Sequence, residues 1–99
     1  MKLPHSDEYR RHLDVIESVS GLRAKMFEKF EINTSKGVWT EDSYADLLNG
    51  LQAENVELQK AVMQYEGLDA IQAECADVAN YCAMIWLKAE RDKKDRVDQ

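Results

Sequence analysis

The stretch ENVELQKAVMQYEGLDAIQAECADVAN, residues 54–80, decides the fold. Apolar residues recur at helical spacing on both sides of Gly67. The stripe before the turn contains Leu47, Leu51, Leu58 and Ala61, and the stripe after it contains Ile71, Val78, Cys82 and Ile85. A short turn forces two neighbouring helices to pack side by side. The stretch therefore predicts two adjacent antiparallel helices.

Each of these helices carries a pair of acidic residues at i,i+3 spacing, which places both members on one side of the helix. The pairs are Glu54 with Glu57 and Glu74 with Asp77. Glu54 and Glu74 fall within the apolar stripes, where a carboxylate is costly unless a cation neutralises it. No Lys or Arg on these two helices is spaced to neutralise them. A divalent cation held by the four carboxylates would neutralise their charge.

The two acidic pairs lie at similar distances from the turn along their helices, which agrees with a shared site. Glu57 lies ten residues before Gly67 and Asp77 lies ten residues after it. Oxygen-only ligands suit Mg²⁺, or Mn²⁺ as a substitute, and such ions keep positions open for water and phosphate oxygens. A di-iron bundle would need Glu-x-x-His motifs, and residues 41–99 contain no histidine. The pattern therefore favours a magnesium site suited to phosphate chemistry.

Length and composition indicate one all-α domain. A chain of 99 residues has room for a single domain. One Pro and four Gly are few turn-forming residues for a fold with many strands. No apolar run approaches a membrane span, and the first residues lack the apolar stretch of a signal peptide, so we expect a cytoplasmic protein. Residues 41–77 contain nine acidic residues and one basic residue, Lys60. Such concentrated negative charge argues against a nucleic-acid partner.

The remaining segments complete the predicted architecture. A first helix is expected from Ser6 to about Ile32, either bent at Gly21 or broken there into two pieces. Residues 33–39 are expected to form a loop, and Thr40 to cap a second helix over residues 41–66. A third helix should pack through residues 71–86. Beyond Lys88 the chain is nearly all charged, which predicts a solvated helical end or a frayed tail; residues 1–5 and 89–99 are the expected loose ends.

Three long amphipathic helices leave part of each apolar stripe uncovered in a monomer. Association with further copies would cover it. We therefore predict an antiparallel helical bundle completed by homo-oligomerisation, with a homodimer as the simplest closed form and a homotetramer as the alternative.

The acidic motifs resemble the signature of a known family. Glu54-x-x-Glu57, sixteen further residues and then Glu74-x-x-Asp77 is similar to the signature of the MazG-like all-α nucleoside triphosphate pyrophosphohydrolases. Further agreement comes from Asp77-Val-Ala-Asn80 and from Lys29, Asn33, Lys36-Gly37 and Trp39. Together these pieces span residues 26–86. Many members have adjacent glutamates at the start of each motif, whereas this chain has Ala53 and Ala73 before Glu54 and Glu74.

The resemblance implies an oligomeric hydrolase that binds Mg²⁺ through Glu54, Glu57, Glu74 and Asp77. Its substrate would be a (deoxy)nucleoside triphosphate, which it would convert to the monophosphate and pyrophosphate for nucleotide-pool house-cleaning or control. Glu57 or Glu54 would be the catalytic carboxylate that orients or deprotonates water. The competing hypothesis is a non-catalytic helical dimer that binds nucleotide or a partner protein.

The resemblance also implies substrate-binding roles for residues outside the acidic motifs. Lys36 and Asn33 would contact phosphates or sugar, Trp39 would stack on the base, and Asn80 would bind phosphate or assist the metal ligands. Each has a structural alternative. Trp39 can pack on Tyr44 as a hydrophobic staple, Lys36 can be a solvated loop lysine, and Asn80 can bond to backbone across the pair formed by the second and third helices.

Overall fold

The computed structural model describes residues 6–33 and 41–97. These residues form three helices: α1 (Ser6–Asn33), α2 (Tyr44–Met63) and α3 (Leu68–Val97). The described chain is all-α, as predicted. Helix α3 packs against both α1 and α2, whereas the described parts of α1 and α2 do not pack against each other. The third helix is therefore the central element, and it brings the other two to a common site.

Helix α1 begins at Ser6 with Asp7 and Glu8 in its first turn, where acidic side chains complement the positive end of the helix dipole. It continues without interruption through Gly21 to Asn33. Of the two predicted alternatives, the one with two separate pieces is therefore wrong. A Cβ added at Gly21 would meet no atom within 4 Å, so this glycine is not required by close packing.

The predicted start of the second helix is wrong by three residues. Thr40 lies outside the described residues, and α2 begins at Tyr44 with Ser43 as its N-cap. The Asp46 backbone N–H donates to Ser43 Oγ at 3.1 Å, and the Ser43 N–H donates to Asp46 Oδ2 at 3.1 Å. This reciprocal capping box satisfies two backbone donors at once. A cap at Thr40 would place Ser43 at the third helical position, where the box calls for Glu or Gln.

The second helix also ends earlier than predicted, at Met63 rather than Glu66. The Glu66 N–H donates to the Ala61 carbonyl at 3.0 Å, and the Tyr65 N–H donates to the Val62 carbonyl at 3.3 Å. These two bonds form a Schellman motif, whose left-handed residue is Tyr65 with a φ of 46°. Gly67 has a φ of 115° and its carbonyl accepts from the Ile71 N–H, so it serves the start of α3.

The second and third helices form an antiparallel αα-hairpin. Their outer ends meet where Tyr44, the first residue of α2, donates its hydroxyl to Asp92 Oδ2 at 2.6 Å. The ammonium of Lys88 lies 5.0 Å from the centre of the Tyr44 ring, within the range of a cation–π contact. The charged segment beyond Lys88 is helical through Val97. Of the two predicted alternatives, the solvated helical end is therefore correct. This end of α3 also holds the start of α2 through the Tyr44–Asp92 bond.

Gly50 allows α2 and α3 to approach closely. A Cβ at this position would overlap the ring of Tyr81 on α3. Tyr81 is half-buried, and its ring packs against α2 at this glycine. The glycine therefore sets the distance between the two helices that carry the acidic motifs.

Replacing Gly50 by Ala is expected to lower the free energy of unfolding by about 1–2 kcal/mol, because overpacking against Tyr81 outweighs the gain in helix propensity. Gly21→Ala is the matched control, since it makes the same change inside a helix with open space around it. That control should raise stability by up to about 1 kcal/mol. Urea unfolding of both variants would measure the difference, and equal stabilisation by both would contradict the role assigned to Gly50.

The described fold buries little apolar surface. Its fully buried apolar side chains are Leu47, Ala61 and Ala76. The accessible surface is 8237 Å², whereas a folded monomer of 11.4 kDa is expected to expose about 5,800 Å². The radius of gyration is 16.8 Å, against about 13 Å for a compact chain of this length. The helices are therefore open, with apolar faces exposed.

None of the described helices combines the length and the apolar character that a membrane crossing requires.

Candidate metal centre

Three of the four predicted carboxylates converge between α2 and α3. Glu54, Glu74 and Asp77 each offer one oxygen, and these oxygens all lie within 4.8 Å of one another. All three residues are half-buried. We call this group the acidic triad. An oxygen set of this size and chemistry could hold a divalent cation.

The connection between the helices explains the register of the triad. Glu54 lies nine residues before Met63, the end of α2, and Asp77 lies nine residues after Leu68, the start of α3. These two residues are therefore level across the hairpin. Glu74 is six residues after Leu68, one turn nearer the connection and on the same side of α3 as Asp77.

Glu57 is not a member of the triad. Its side chain is 53% exposed, and its Oε1 lies 3.7 Å from the Lys60 ammonium one turn further on. The predicted role of Glu57 as a metal ligand remains a prediction. Its charge still acts on the site, because it contributes to the raised pKa of Glu54 and of Glu74.

The electrostatics of the triad are compatible with a divalent cation. Burial, and then the neighbouring Asp77, raise the pKa of Glu74 above its ordinary value. Burial is also the largest cause of the raised pKa of Glu54, followed by the charges of Asp77 and Glu74. Glu74 Oε2 is buried and has no hydrogen-bond partner among the described residues. A divalent ion would satisfy that oxygen and offset the repulsion, so these residues fit Mg²⁺ or Mn²⁺.

Lys29 of α1, named above only as part of the family resemblance, also belongs to this site. Its Nζ lies 3.5 Å from Asp77 Oδ2, and the two side chains are 25% and 12% exposed. No Lys or Arg on α2 or α3 is spaced to neutralise these carboxylates, and α1 supplies one instead. Lys29 lies three residues after Met26 and just before Phe30, near the end of α1 that packs on α3. No spacing in the sequence indicates which face of α1 is turned towards α3.

Asn80 joins α3 to α1. It is 9% exposed, and its Nδ2 donates to the Met26 carbonyl at 3.0 Å. Asn80 thus bonds to backbone, as in its structural alternative, but the bond reaches α1 and not across the α2–α3 pair. It holds α1 where Lys29 can reach Asp77. The predicted contact of Asn80 with phosphate or with the metal ligands remains a prediction.

The other predicted substrate-binding residues fall outside the described side chains. Asn33 is the last residue of α1, and nothing further is described of it. Lys36 and Trp39 lie in residues 34–40, outside the described ranges. The roles predicted for these three residues are unchanged.

Without divalent metal, the triad is expected to destabilise the protein as pH rises. The pKa values of Glu54 and Glu74 are raised from their ordinary 4.5, so above that pH the folded chain holds protons that the unfolded chain has lost. Rising pH therefore favours unfolding through these two groups until both are ionised in the folded state. Urea unfolding in EDTA over a pH series, with a Glu54→Gln/Glu74→Gln double variant, would isolate this effect. Identical pH dependence in the two proteins would contradict it.

The described residues thus establish a small three-helix protein with an acidic triad between α2 and α3 and a lysine from α1 beside it. The triad takes one residue from the first predicted motif and two from the second. Glu57, the fourth predicted carboxylate, is not part of it. Comparison with models of protein families, with curated proteins and with solved structures found no significant match.

Proposed function

We propose that this chain is a Mg²⁺-dependent nucleoside triphosphate pyrophosphohydrolase of the MazG-like type. The observation that carries the proposal is the convergence of Glu54, Glu74 and Asp77 from two different helices within 4.8 Å. The unpartnered Glu74 Oε2 supports a cation at this point. The sequence resemblance supplies the substrate class and the bond that is hydrolysed.

The triad would hold the metal with one oxygen from each residue. Mg²⁺ prefers six oxygen ligands and usually keeps several positions for water or substrate phosphates. Three protein oxygens leave about three such positions. When bound, the metal would neutralise charge on the phosphates and on the leaving pyrophosphate.

One of the carboxylates would also accept the proton that the attacking water loses. Water adds to the α-phosphorus, the bond from that phosphorus to the bridging oxygen breaks, and pyrophosphate leaves. Glu57 is suited to take the proton from the attacking water, because it lies beside the triad, is exposed and is outside the ligand group. Glu54, the other predicted catalytic residue, would then serve as a ligand that orients the site.

We propose further that the active form is a homo-oligomer. A groove of about 880 Å³ runs along α1 and is lined mainly by apolar side chains, among them Ile16, Val19 and Phe27. These three are 65%, 50% and 68% exposed. The chain exposes about 2,400 Å² more than a compact monomer, which exceeds the roughly 800 Å² that each partner of a typical specific interface buries. A second copy is the occupant that would cover this face.

Pyrophosphate release from a panel of canonical and modified nucleoside triphosphates tests the proposal. We expect release from at least one of them in millimolar Mg²⁺, and none when EDTA replaces the metal. No release from any substrate by the folded protein would contradict the proposed activity. That outcome would favour the non-catalytic dimer that binds nucleotide or a partner protein.

A further inference from the structure

Lys29 differs from the other ion-paired lysines in the described chain. Lys25, Lys60 and Lys93 each pair with a glutamate three residues away on their own helix, and their side chains are 37%, 53% and 76% exposed. The Lys29 side chain is 25% exposed and reaches from α1 to Asp77 on α3. Its ion pair is therefore a tertiary contact.

The ammonium of Lys29 acts on the whole acidic triad. Nζ lies 3.5 Å from Asp77 Oδ2. The same charge lowers the pKa of Glu54 and of Glu74, against the effects of burial and the neighbouring acids. A single positive charge is thus shared among three carboxylates. It offsets part of their repulsion and leaves Glu74 Oε2 without a partner.

A divalent ion bound to Asp77 would lie beside this ammonium, and the two like charges would repel each other. The four-carbon stem of lysine is flexible, so the ammonium can withdraw while the backbone of α1 stays in place. We propose that Lys29 is a built-in cation that holds the triad in the metal-free protein and that a divalent metal ion must displace. This role rests on the proposed metal site.

Competition of this kind predicts that removing Lys29 tightens metal binding. Mn²⁺ affinity, measured from the electron paramagnetic resonance signal of the free ion, is expected to be up to about fivefold higher in Lys29→Met than in the wild type, the upper limit set by the strength of a partly exposed ion pair. Lys25→Met is the matched control, because it removes the same charge from the same helix one turn away. It should leave the affinity nearly unchanged.

The outcomes separate the two proposals. Mn²⁺ binding by the wild type with equal or weaker affinity in Lys29→Met would overturn the role of Lys29 and leave the metal site standing. No Mn²⁺ binding by either protein would overturn both the metal site and the role of Lys29. An equal gain in affinity in Lys25→Met would show a general effect of protein charge. It would also overturn the proposal that the metal displaces the Lys29 ammonium.

A second measurement uses the wild-type protein and does not depend on the folding of a variant. An ammonium released from Asp77 should react faster with an acetylating reagent than one held in an ion pair. We expect the acetylation rate of Lys29, followed by peptide mass spectrometry, to rise when Mg²⁺ is added, while that of Lys25 stays constant. An unchanged or slower rate at Lys29 in a protein that binds Mg²⁺ would overturn the proposal.

Discussion

Replacing Glu74 by Gln is expected to reduce pyrophosphate release by about two to three orders of magnitude, because metal catalysis at phosphate contributes several kcal/mol. The change keeps the size of the side chain and removes the charge of one of the three carboxylates of the acidic triad. The measurement is the steady-state rate for the best substrate of the panel at several Mg²⁺ concentrations. If Glu74 acts as a ligand, excess Mg²⁺ should restore part of the lost rate.

Two controls show that such a loss is specific. Glu90→Gln makes the same change on the same helix at an exposed glutamate that pairs only with Lys93 among the described contacts, and it should retain wild-type activity. Metal-free Glu74→Gln should be at least as stable as the wild type, because the charge it removes is buried and repelled by Asp77. Full activity in Glu74→Gln would contradict the proposed site.

Replacing Ile16 by Asp is expected to convert an oligomer into a monomer. If two copies cover each other's α1 groove, each copy loses one buried Ile, which corresponds to about 3–6 kcal/mol per dimer before the cost of burying the carboxylate. The dissociation constant should therefore rise at least about a hundredfold. Sedimentation velocity would show wild-type mass at a multiple of 11.4 kDa and variant mass at that value.

Val15→Asp is a closely matched control for this prediction. Val15 and Ile16 are neighbours on α1 and are 67% and 65% exposed, but Val15 does not line the groove. Its replacement should leave the oligomer intact. A wild type that sediments as a monomer, or equal dissociation in both variants, would contradict the covering of this groove by a second copy.

Much of the backbone could be predicted from hydrophobic spacing. All three helices follow from their apolar stripes, and the start of α1 follows from Ser6 and the acids after it. The ends of α2 were less predictable because neighbouring residues offer competing caps. Ser43 forms the N-cap because Asp46 is placed to return the hydrogen bond, and Tyr65 adopts the left-handed position that glycine commonly takes.

The acidic triad was predicted in part. Glu54 and Glu74 were identifiable because a carboxylate within an apolar stripe needs a partner, and Asp77 because of its i,i+3 spacing from Glu74. The orientation of Glu57 depends on a rotation of α2 that spacing alone does not determine. Lys29 is among the residues of the resemblance, but its contact with Asp77 was not predictable, because it depends on how α1 lies across α3 and joins residues far apart in sequence.

An anomalous difference map from crystals grown with Mn²⁺ tests most directly whether the acidic triad is a metal centre. We expect a peak between α2 and α3, about 2.1 Å from one oxygen each of Glu54, Glu74 and Asp77. We also expect the Lys29 ammonium to have withdrawn from Asp77. Well-ordered triad side chains with no peak between them, in crystals at millimolar Mn²⁺, would contradict the proposed metal site.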